Sequence, residues 1–256
     1  MNLNLKGLKV LNTRPKKQAR KLSLAIEAAG GEALEFPAIE IQPTNSNWFT
    51  HLPNLDKVAK AVFISANAAH YCFEVLQQKK CLWPKTIEVI AVGEATSFAL
   101  KSHGIKAHLV PSISDSENLL KLPELRYIDN KIILLFKGVK GRTLIAETLK
   151  HRGANLYCFE VYTRQLPTFT EQELHSFWHN KHVDIILFTS QQSMQNLFIL
   201  FGEKAHTWLR HTPCLVISKR LAAEAALLGI EKILISDPKT IVTTLQQFNE
   251  GLIHGQ

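Results

Sequence analysis

The run VFISAN at residues 62–67 decides the fold, because it returns in pattern as LFTSQQ at residues 187–192. In each copy a short apolar run passes through a serine into a helical pattern, which is typical of a parallel β-α-β unit. A second strand end follows each serine after 28 residues, at Gly93 and at Ser218. Both correspondences have the same offset of 125 residues. The sequence therefore contains two copies of one α/β fold.

Two weaker correspondences support the duplication. Gly104 and Gly229, each followed by isoleucine, share the offset of 125 residues. The run GGEALEF at residues 30–36 pairs with GANLYCF at residues 153–159, at an offset of 123. Short β-rich runs and amphipathic helices alternate through the whole chain, which predicts two doubly wound parallel sheets.

Two segments receive specific predictions within this alternation. Residues 33–41 are predicted to be one extended segment, an edge strand or a connector, because Pro37 cannot donate a hydrogen bond to a sheet. Residues 106–111 are predicted to continue the pattern as a strand.

The order of the segments predicts which residues form each lobe. We expect one lobe from residues 1–35 plus 168–256 and a second, inserted lobe from residues 43–157. Residues 36–42 and 158–167 would connect them. Such paired crossings form a hinge, so we expect a ligand cleft between the lobes.

Composition excludes several classes of protein. The chain has 256 residues, of which 46% are hydrophobic and 20% charged, as in ordinary globular proteins. The purely apolar runs, such as 132–136 and 185–188, are far shorter than the roughly 18 residues of a membrane span. The N-terminal MNLNLKG does not lead into an export signal, so a cytoplasmic protein is expected.

No cofactor or metal site is expected. The four cysteines form no C-x-x-C pair, and the 11 histidines are dispersed, so reduced structural thiols are the simplest interpretation. The sequence has no G-x-G-x-x-G, no phosphate-binding loop motif and no G-x-S-x-G elbow, which argues against nucleotide cofactors.

Charge leaves a choice of partner open. Thirty Lys and Arg residues against 22 Asp and Glu give a formal charge of +8, which attracts acidic ligands or simply aids solubility. The densest basic clusters, at residues 16–21 and 79–80, resemble solvated helix faces more than a nucleic-acid surface. A small polyanionic metabolite is expected rather than nucleic acid or a membrane.

The turns that follow the predicted strands are the candidate binding elements. Ligands of open parallel sheets bind outside the carboxyl ends of the strands, where helix N-termini offer free backbone N–H groups to carboxylates. Each turn is also explained by ordinary helix capping. The six turns lie at residues 12–15, 65–67, 93–96, 137–142, 189–193 and 218–220.

The residues of these turns, taken in order, carry a family resemblance. The markers are VLNTRP at 10–15, the stretch 30–41, FISANA at 63–68, AVGEAT at 91–96, the turn 137–142, EVYTR at 160–164 and FTS at 188–190. In this order the chain resembles uroporphyrinogen-III synthase. The resemblance implies two like lobes joined by a two-stranded β connection.

The resemblance also implies a reaction. A synthase of this family cyclises and dehydrates hydroxymethylbilane to uroporphyrinogen III, with inversion of the terminal pyrrole ring, in porphyrin and haem biosynthesis. It is a cyclising hydro-lyase without a cofactor, and a monomer is expected. The substrate is a linear tetrapyrrole with several carboxylates, which the enzyme supplying hydroxymethylbilane would deliver by transient contact.

Site residues follow from the same resemblance. Tyr162 is expected to be the proton donor or a positioning hydroxyl, although a packing aromatic would look the same in sequence. The substrate-binding candidates are Thr13, Arg14, Ser65, Asn67, Thr96, Lys137, Arg142 and Ser190. Two other classes stay open: an inactive bilobed ligand-binding protein on the same fold, and a nucleic-acid-binding protein.

Overall fold

The structure is a computed structural model that describes residues 4–180 and 182–253. Residues 1–3 of the N-terminal segment interpreted above lie outside the described residues. The chain divides into two compact units, Met1–Glu40 with Gln165–Gln256, and Ile41–Arg164. Both boundaries fall within strands.

Strands and helices alternate along most of the chain. The strands are β1 (Lys9–Asn12), β2 (Glu32–Glu35), β3 (Glu40–Pro43), β4 (Val58–Phe63), β5 (Glu88–Ala91), β6 (Ile132–Gly138), β7 (Asn155–Gln165), β8 (Ile185–Phe188), β9 (Cys214–Val216) and β10 (Ile233–Ile235). The helices are α1 (Lys16–Ala28), α2 (Ala66–Gln78), α3 (Glu94–Ser102), α4 (Ser116–Leu120), α5 (Leu144–His151), α6 (Glu171–His175), α7 (Gln191–Phe201), α8 (His206–His211), α9 (Lys219–Leu227) and α10 (Ile241–Ile253).

The sheet of the first unit has the order β2-β1-β8-β9-β10, and neighbouring strands are parallel. Numbered within the unit, this is the doubly wound order 2-1-3-4-5. One face packs on α7, α8 and α9, and the other on α1 and α10. The connection reverses direction between β1 and β8, so that pair of strands is the switch point of this sheet.

The sheet of the second unit has the order β5-β4-β6-β7-β3. The pairs β4–β5, β4–β6 and β6–β7 are parallel. Helix α2 packs on one face, and α4 and α5 contribute to the core on the other. Its switch point lies between β4 and β6. The predicted α/β fold with two doubly wound sheets is confirmed.

Serine caps explain why helices begin where these strands end. The hydroxyls of Ser65, Ser190 and Ser218 accept hydrogen bonds from backbone N–H groups three residues on, at 3.0–3.3 Å. All three residues have extended backbone, as N-caps require. The chain therefore turns from strand to helix at the same sheet end each time. Three of the six candidate turns lie at the carboxyl ends of each sheet.

The prediction of an edge strand or connector over residues 33–41 is confirmed in part, because β2 and β3 are both edge strands, but the segment is not one continuous strand. Strand β2 ends at Glu35, and β3 begins at Glu40 in the other sheet. Between them Phe36 is fully buried and stacks on Phe169 at 4.4 Å and on Phe201 at 4.9 Å. The Phe36 and Ala38 N–H groups still donate to the Asn12 and Thr13 carbonyls at 3.0 and 3.1 Å, so the chain follows the end of β1 as far as Ala38 before it enters β3.

The prediction of a strand over residues 106–111 is also wrong. This segment runs beside β5 but forms only an isolated bridge, between Leu109 and Ile90. The Nδ1 atom of His108 accepts a hydrogen bond from the Val89 N–H at 2.9 Å. The His108 ring thus accepts the Val89 N–H, which in a continuous ladder would donate to a carbonyl of the neighbouring strand.

Candidate active site

A direct contact joins two of the predicted site residues at the second switch point. The Ser65 hydroxyl donates a hydrogen bond to the hydroxyl oxygen of Tyr162 at 3.1 Å. The same serine oxygen accepts the Ala68 N–H at 3.0 Å, at the start of α2. Ser65 follows β4, and Tyr162 lies on β7, where it is 4% exposed. The helix N-terminus and the phenol are therefore linked through one serine.

An irregularity in β7 decides which way Tyr162 faces. Glu160 pairs with the residue before Gly138, yet Gly138 itself pairs with Tyr162, so β7 carries one extra residue. Strict alternation would put Tyr162 on the face of the exposed Glu160. Instead it joins Phe159 and Val161 in the core cluster that packs on α2. Such bulges redirect side chains next to functional sites.

Two neighbours hold the phenol ring. Tyr71 of α2 stacks on Tyr162 with ring centroids 6.2 Å apart and 26° between the planes. The Tyr71 hydroxyl donates to the Ile41 carbonyl at 2.8 Å. The guanidinium carbon of Arg164 lies 5.9 Å from the centre of the Tyr162 ring. A positive charge is therefore within cation–π distance of the phenol.

Thr96 and Asn67 are placed on the first turns of α3 and α2. Thr96 is 3% exposed, and its backbone N–H donates to the Gly93 carbonyl at 3.1 Å. Asn67 is half-buried next to the Ser65 cap. Both lie at the carboxyl end of the second sheet, as predicted.

The two basic residues of the 137–142 turn have protein partners. The Lys137 ammonium is 3.5 Å from a carboxylate oxygen of Glu160 and donates to the Gly141 carbonyl at 3.4 Å. Lys137 is 8% exposed, so these bonds close the turn from inside. Arg142 is exposed and lies 3.4 Å from the Glu117 carboxylate. Exposed pairs of this kind contribute little and exchange readily.

The first unit places its candidates at its own switch point. Thr13 is fully buried, and its hydroxyl donates to the Leu187 carbonyl at 2.7 Å, which ties β1 to β8. Arg14 is half-buried, and burial lowers the pKa of its guanidinium. Within the described residues, the Arg14 Nε is buried without a hydrogen-bond partner. Arg14 is therefore the better candidate of the two for an anionic group.

Ser190 resembles Ser65 in position but not in contacts. Its oxygen accepts a hydrogen bond from the Ser193 N–H at 3.1 Å, and its hydroxyl donates a hydrogen bond to the Ser193 hydroxyl at 3.0 Å. Its hydrogen bonds in the described part of the chain include none to a tyrosine. The duplicated serines therefore have different partners in the two units.

Gly138 lies beside the candidate Tyr162, and the sequence does not single it out. In the sequence it is only one member of the 137–142 turn, whereas in the structure it pairs with Tyr162 and lies against the phenol. A glycine at the end of a predicted strand, close to a proposed acid on the next strand, is the signal that could have identified it.

Over residues 4–180 and 182–253, no cluster of three or more metal-binding side chains occurs. In the same ranges, every helix is too short or too polar to cross a membrane.

Comparison with known families gives one result along most of the chain. The family model described as Uroporphyrinogen-III synthase HemD matches residues 20–245. The uroporphyrinogen-III synthase of Escherichia coli K12 is 32% identical over 240 residues, which cover 90% of this chain and 95% of that protein. The enzyme of the same name from Salmonella typhimurium is 32% identical over 238 residues, with the same coverage.

Solved structures agree on the fold. A mutant uroporphyrinogen III synthase from Thermus thermophilus aligns with a TM-score of 0.63 and 19% identity, over 97% of this chain and 100% of that one. Uroporphyrinogen-III synthetase from Helicobacter pylori aligns with a TM-score of 0.63 and 15% identity, over 96% of this chain and 99% of that one.

Proposed function

The chain belongs to the uroporphyrinogen-III synthase family, and on that premise we propose how its residues carry out the reaction. It is a cyclising lyase of porphyrin biosynthesis that acts on a tetrapyrrole. We take the substrate to be hydroxymethylbilane and the product uroporphyrinogen III. The substrate loses its terminal hydroxyl as water, and a substituted pyrrole carbon then attacks the methylene carbon of the resulting electrophilic azafulvene to form a carbon–carbon bond. The spiro intermediate then fragments and recloses with one ring inverted.

Tyr162 is the proposed proton donor to the departing hydroxyl. The observation that carries this assignment is the hydrogen bond in which Ser65 donates to the Tyr162 oxygen. Because that oxygen accepts a hydrogen bond from the serine hydroxyl, the O–H of Tyr162 itself is free to point at a ligand. When the O–H bond breaks, the leaving group departs as water, and the negative charge on the phenol oxygen is held by the Ser65 donor.

The proton balance closes within the same site. The macrocycle regains its aromatic pyrrole by losing one proton from a ring carbon. The Tyr162 oxygen can take that proton back, which returns the site to its starting state. No other reactant is required, so a positioned phenol suffices for both transfers.

The substrate's carboxylates need cationic and N–H donors. Helix N-termini at the carboxyl ends of both sheets supply backbone N–H groups, and Thr96 and Asn67 add side-chain groups at two of them. Arg14 offers the unpartnered Nε described above. Thr13 is proposed to act by shaping its turn. The weaker proposed contacts, whose polar atoms already have partners, are Ser65, Ser190, Lys137 and Arg142.

The remaining features of the proposal concern its setting. We propose a cytoplasmic monomer that needs no cofactor and binds neither nucleic acid nor membrane. We also propose that the protein makes transient contact with the enzyme that supplies hydroxymethylbilane. The lobes remain proposed as residues 1–35 with 168–256, and 43–157, connected by 36–42 and 158–167. Sedimentation of the purified chain at several concentrations tests the monomer.

The decisive experiment supplies purified protein with freshly made hydroxymethylbilane and separates the oxidised products as porphyrin isomers I and III. An excess of isomer III over the spontaneous isomer I is expected. Tyr162→Phe keeps the ring and removes the acid, so a fall of about 10²–10⁴-fold in kcat is expected for a general acid. Isomer I alone from folded wild-type protein overturns the synthase function. Full activity of the phenylalanine variant overturns the role of Tyr162.

If the wild type makes no isomer III, titration with hydroxymethylbilane decides between the other classes. Binding without turnover is the result expected of a ligand-binding protein on this fold. A salt-dependent affinity for DNA instead supports a nucleic-acid-binding protein.

A further inference from the structure

The Tyr162 phenol occupies the space where a side chain of residue 138 would lie. Alternate residues of a strand share a face, so Gly138 shares the face of Leu134 and Phe136, both buried in the same core cluster. A Cβ atom built on Gly138 lies 2.6 Å from Tyr162 Cζ and 2.9 Å from its hydroxyl oxygen. Ordinary van der Waals contact begins at 3.4 Å. Only glycine leaves room for the ring.

The glycine is not required by the backbone. Among the described residues, the glycines with positive φ are Gly7, Gly30, Gly104, Gly153, Gly202 and Gly229. Gly138 is not among them, so its conformation is open to an alanine. A side chain at position 138 is therefore excluded by the Tyr162 ring above it, and not by the backbone dihedral angles.

The main chain on both sides of this contact is fixed. The Val139 N–H donates to the Tyr162 carbonyl at 2.8 Å, and Gly138 is paired with Tyr162 across β6 and β7. An added Cβ therefore displaces the free end of the tyrosine side chain, which is its phenol. That movement takes the hydroxyl away from its bond with Ser65.

We propose that Gly138 is a positioning residue, which sets the place of the Tyr162 hydroxyl by having no side chain. This proposal rests on the proposed role of Tyr162 in proton transfer. The extra residue in β7 brings the ring over β6, and the glycine lets it settle there. Both features are needed to place the ring. With the bulge but a larger residue at position 138, the Tyr162 ring would clash with that residue's side chain.

The test is Gly138→Ala, assayed for isomer III formation. Restoring a 3.4 Å contact from 2.6 Å requires a shift of about 0.8 Å. Misplacement of a reacting group by about 1 Å costs about 10²-fold, so we expect kcat to fall roughly 10–100-fold. KM should change less than about twofold, because no carboxylate contact is altered. Gly251→Ala in α10, whose Cβ meets nothing within 4 Å, is the matched control.

A second background separates positioning from general damage. In Tyr162→Ala the ring is gone, so adding Gly138→Ala should lower kcat no further. The same fold loss in both backgrounds, or a fully active Gly138→Ala, overturns the proposal. If Gly138→Ala fails to fold, the double variant should refold, because the clash is relieved; a double variant that also fails to fold overturns it. Wild-type isomer III production in parallel reports separately on the proposed function.

Discussion

Replacing Ser65 by alanine removes two interactions at once, and the structure lets their effects be separated. The first is the N-cap of α2, a 3.0 Å bond from the Ala68 N–H. The second is the 3.1 Å bond to the Tyr162 oxygen. Loss of a serine cap costs about 1 kcal/mol of unfolding free energy. Loss of one hydrogen bond at the reacting oxygen costs about 0.5–1.5 kcal/mol, which is roughly 2–10-fold in kcat.

Ser218→Ala is the matched control, because Ser218 caps α9 with nearly the same backbone geometry and donates to no tyrosine in the described structure. Both variants should lower the melting temperature by about 2–4 °C. Only the Ser65 variant should lose kcat, measured as the rate of isomer III formation. In a Tyr162→Phe background, Ser65→Ala should keep its stability cost and lose its kinetic effect. Equal kcat values for Ser65→Ala and wild type would refute the reasoning.

Three further predictions concern stability and thiol chemistry. Thr13→Val should cost about 1–3 kcal/mol in urea unfolding, because it leaves the buried Leu187 carbonyl without its 2.7 Å donor, whereas Thr13→Ser should retain most of the stability. Desolvation, and then the nearby His70, lower the pKa of His103 from its ordinary value of 6.5, so the folded chain binds that proton less readily than the unfolded chain. The free energy of unfolding should therefore fall as the pH drops through 6.5. Between about pH 7.5 and 5.5 the melting temperature of His103→Asn should fall less than that of the wild type, and an equal fall contradicts this. Burial raises the pKa of the Cys214 thiol to about 12, so at about pH 8 iodoacetamide should label the exposed Cys158 well before Cys214, as peptide mass spectrometry would show.

The repeat explains why the architecture could be predicted. Serine, strand and helix recur at one offset, and each serine does cap a helix after a strand. Local patterns of this kind depend on residues within one or two turns of the chain, so the sequence contains them directly. The doubly wound order follows from those units together with the rule that such connections are short and right-handed.

The errors lie where distant contacts overrule local pattern. The Phe36 ring is buried after β2 because Phe169 and Phe201, more than about 130 residues away along the chain, provide an aromatic site for it. His108 interrupts a ladder because its ring accepts the donor of Val89. Neither contact is encoded in the periodicity of its own segment.

The site shows the same division. That Ser65 begins a helix at a sheet end was predictable from the sequence, since a strand, a serine and an amphipathic run appear in succession. The face of Tyr162 was not, because alternation along β7 puts it with Glu160, and the extra residue is visible only once β6 and β7 are paired. Resemblance to the family makes Tyr162 a candidate, while the pairing with Gly138 explains how its ring is placed.

The duplication also explains why the chemistry is assigned to one unit. Each sheet takes strands from both repeats: β1 and β2 of the first repeat lie with β8 and β9 of the second, and β4 and β5 lie with β6 and β7. Ser65 thus comes from one copy and Tyr162 from the other. All four tyrosines of the chain fall within Ile41–Arg164, so the switch point of the first unit has no phenol of its own to offer.

What the first unit retains is suited to binding. The hydroxyls of Thr13 and Ser190 are spent on internal hydrogen bonds, whereas the buried Arg14 Nε lacks a protein partner in the described structure. A buried donor without a partner has already lost its hydrogen bond to water during folding. A ligand that accepts its hydrogen bond therefore stabilises the complex without a further desolvation cost for that donor. A carboxylate of the substrate would satisfy it. On the proposed function the two units would then differ in task, with proton transfer at Ser65 and Tyr162 and anion binding at Arg14.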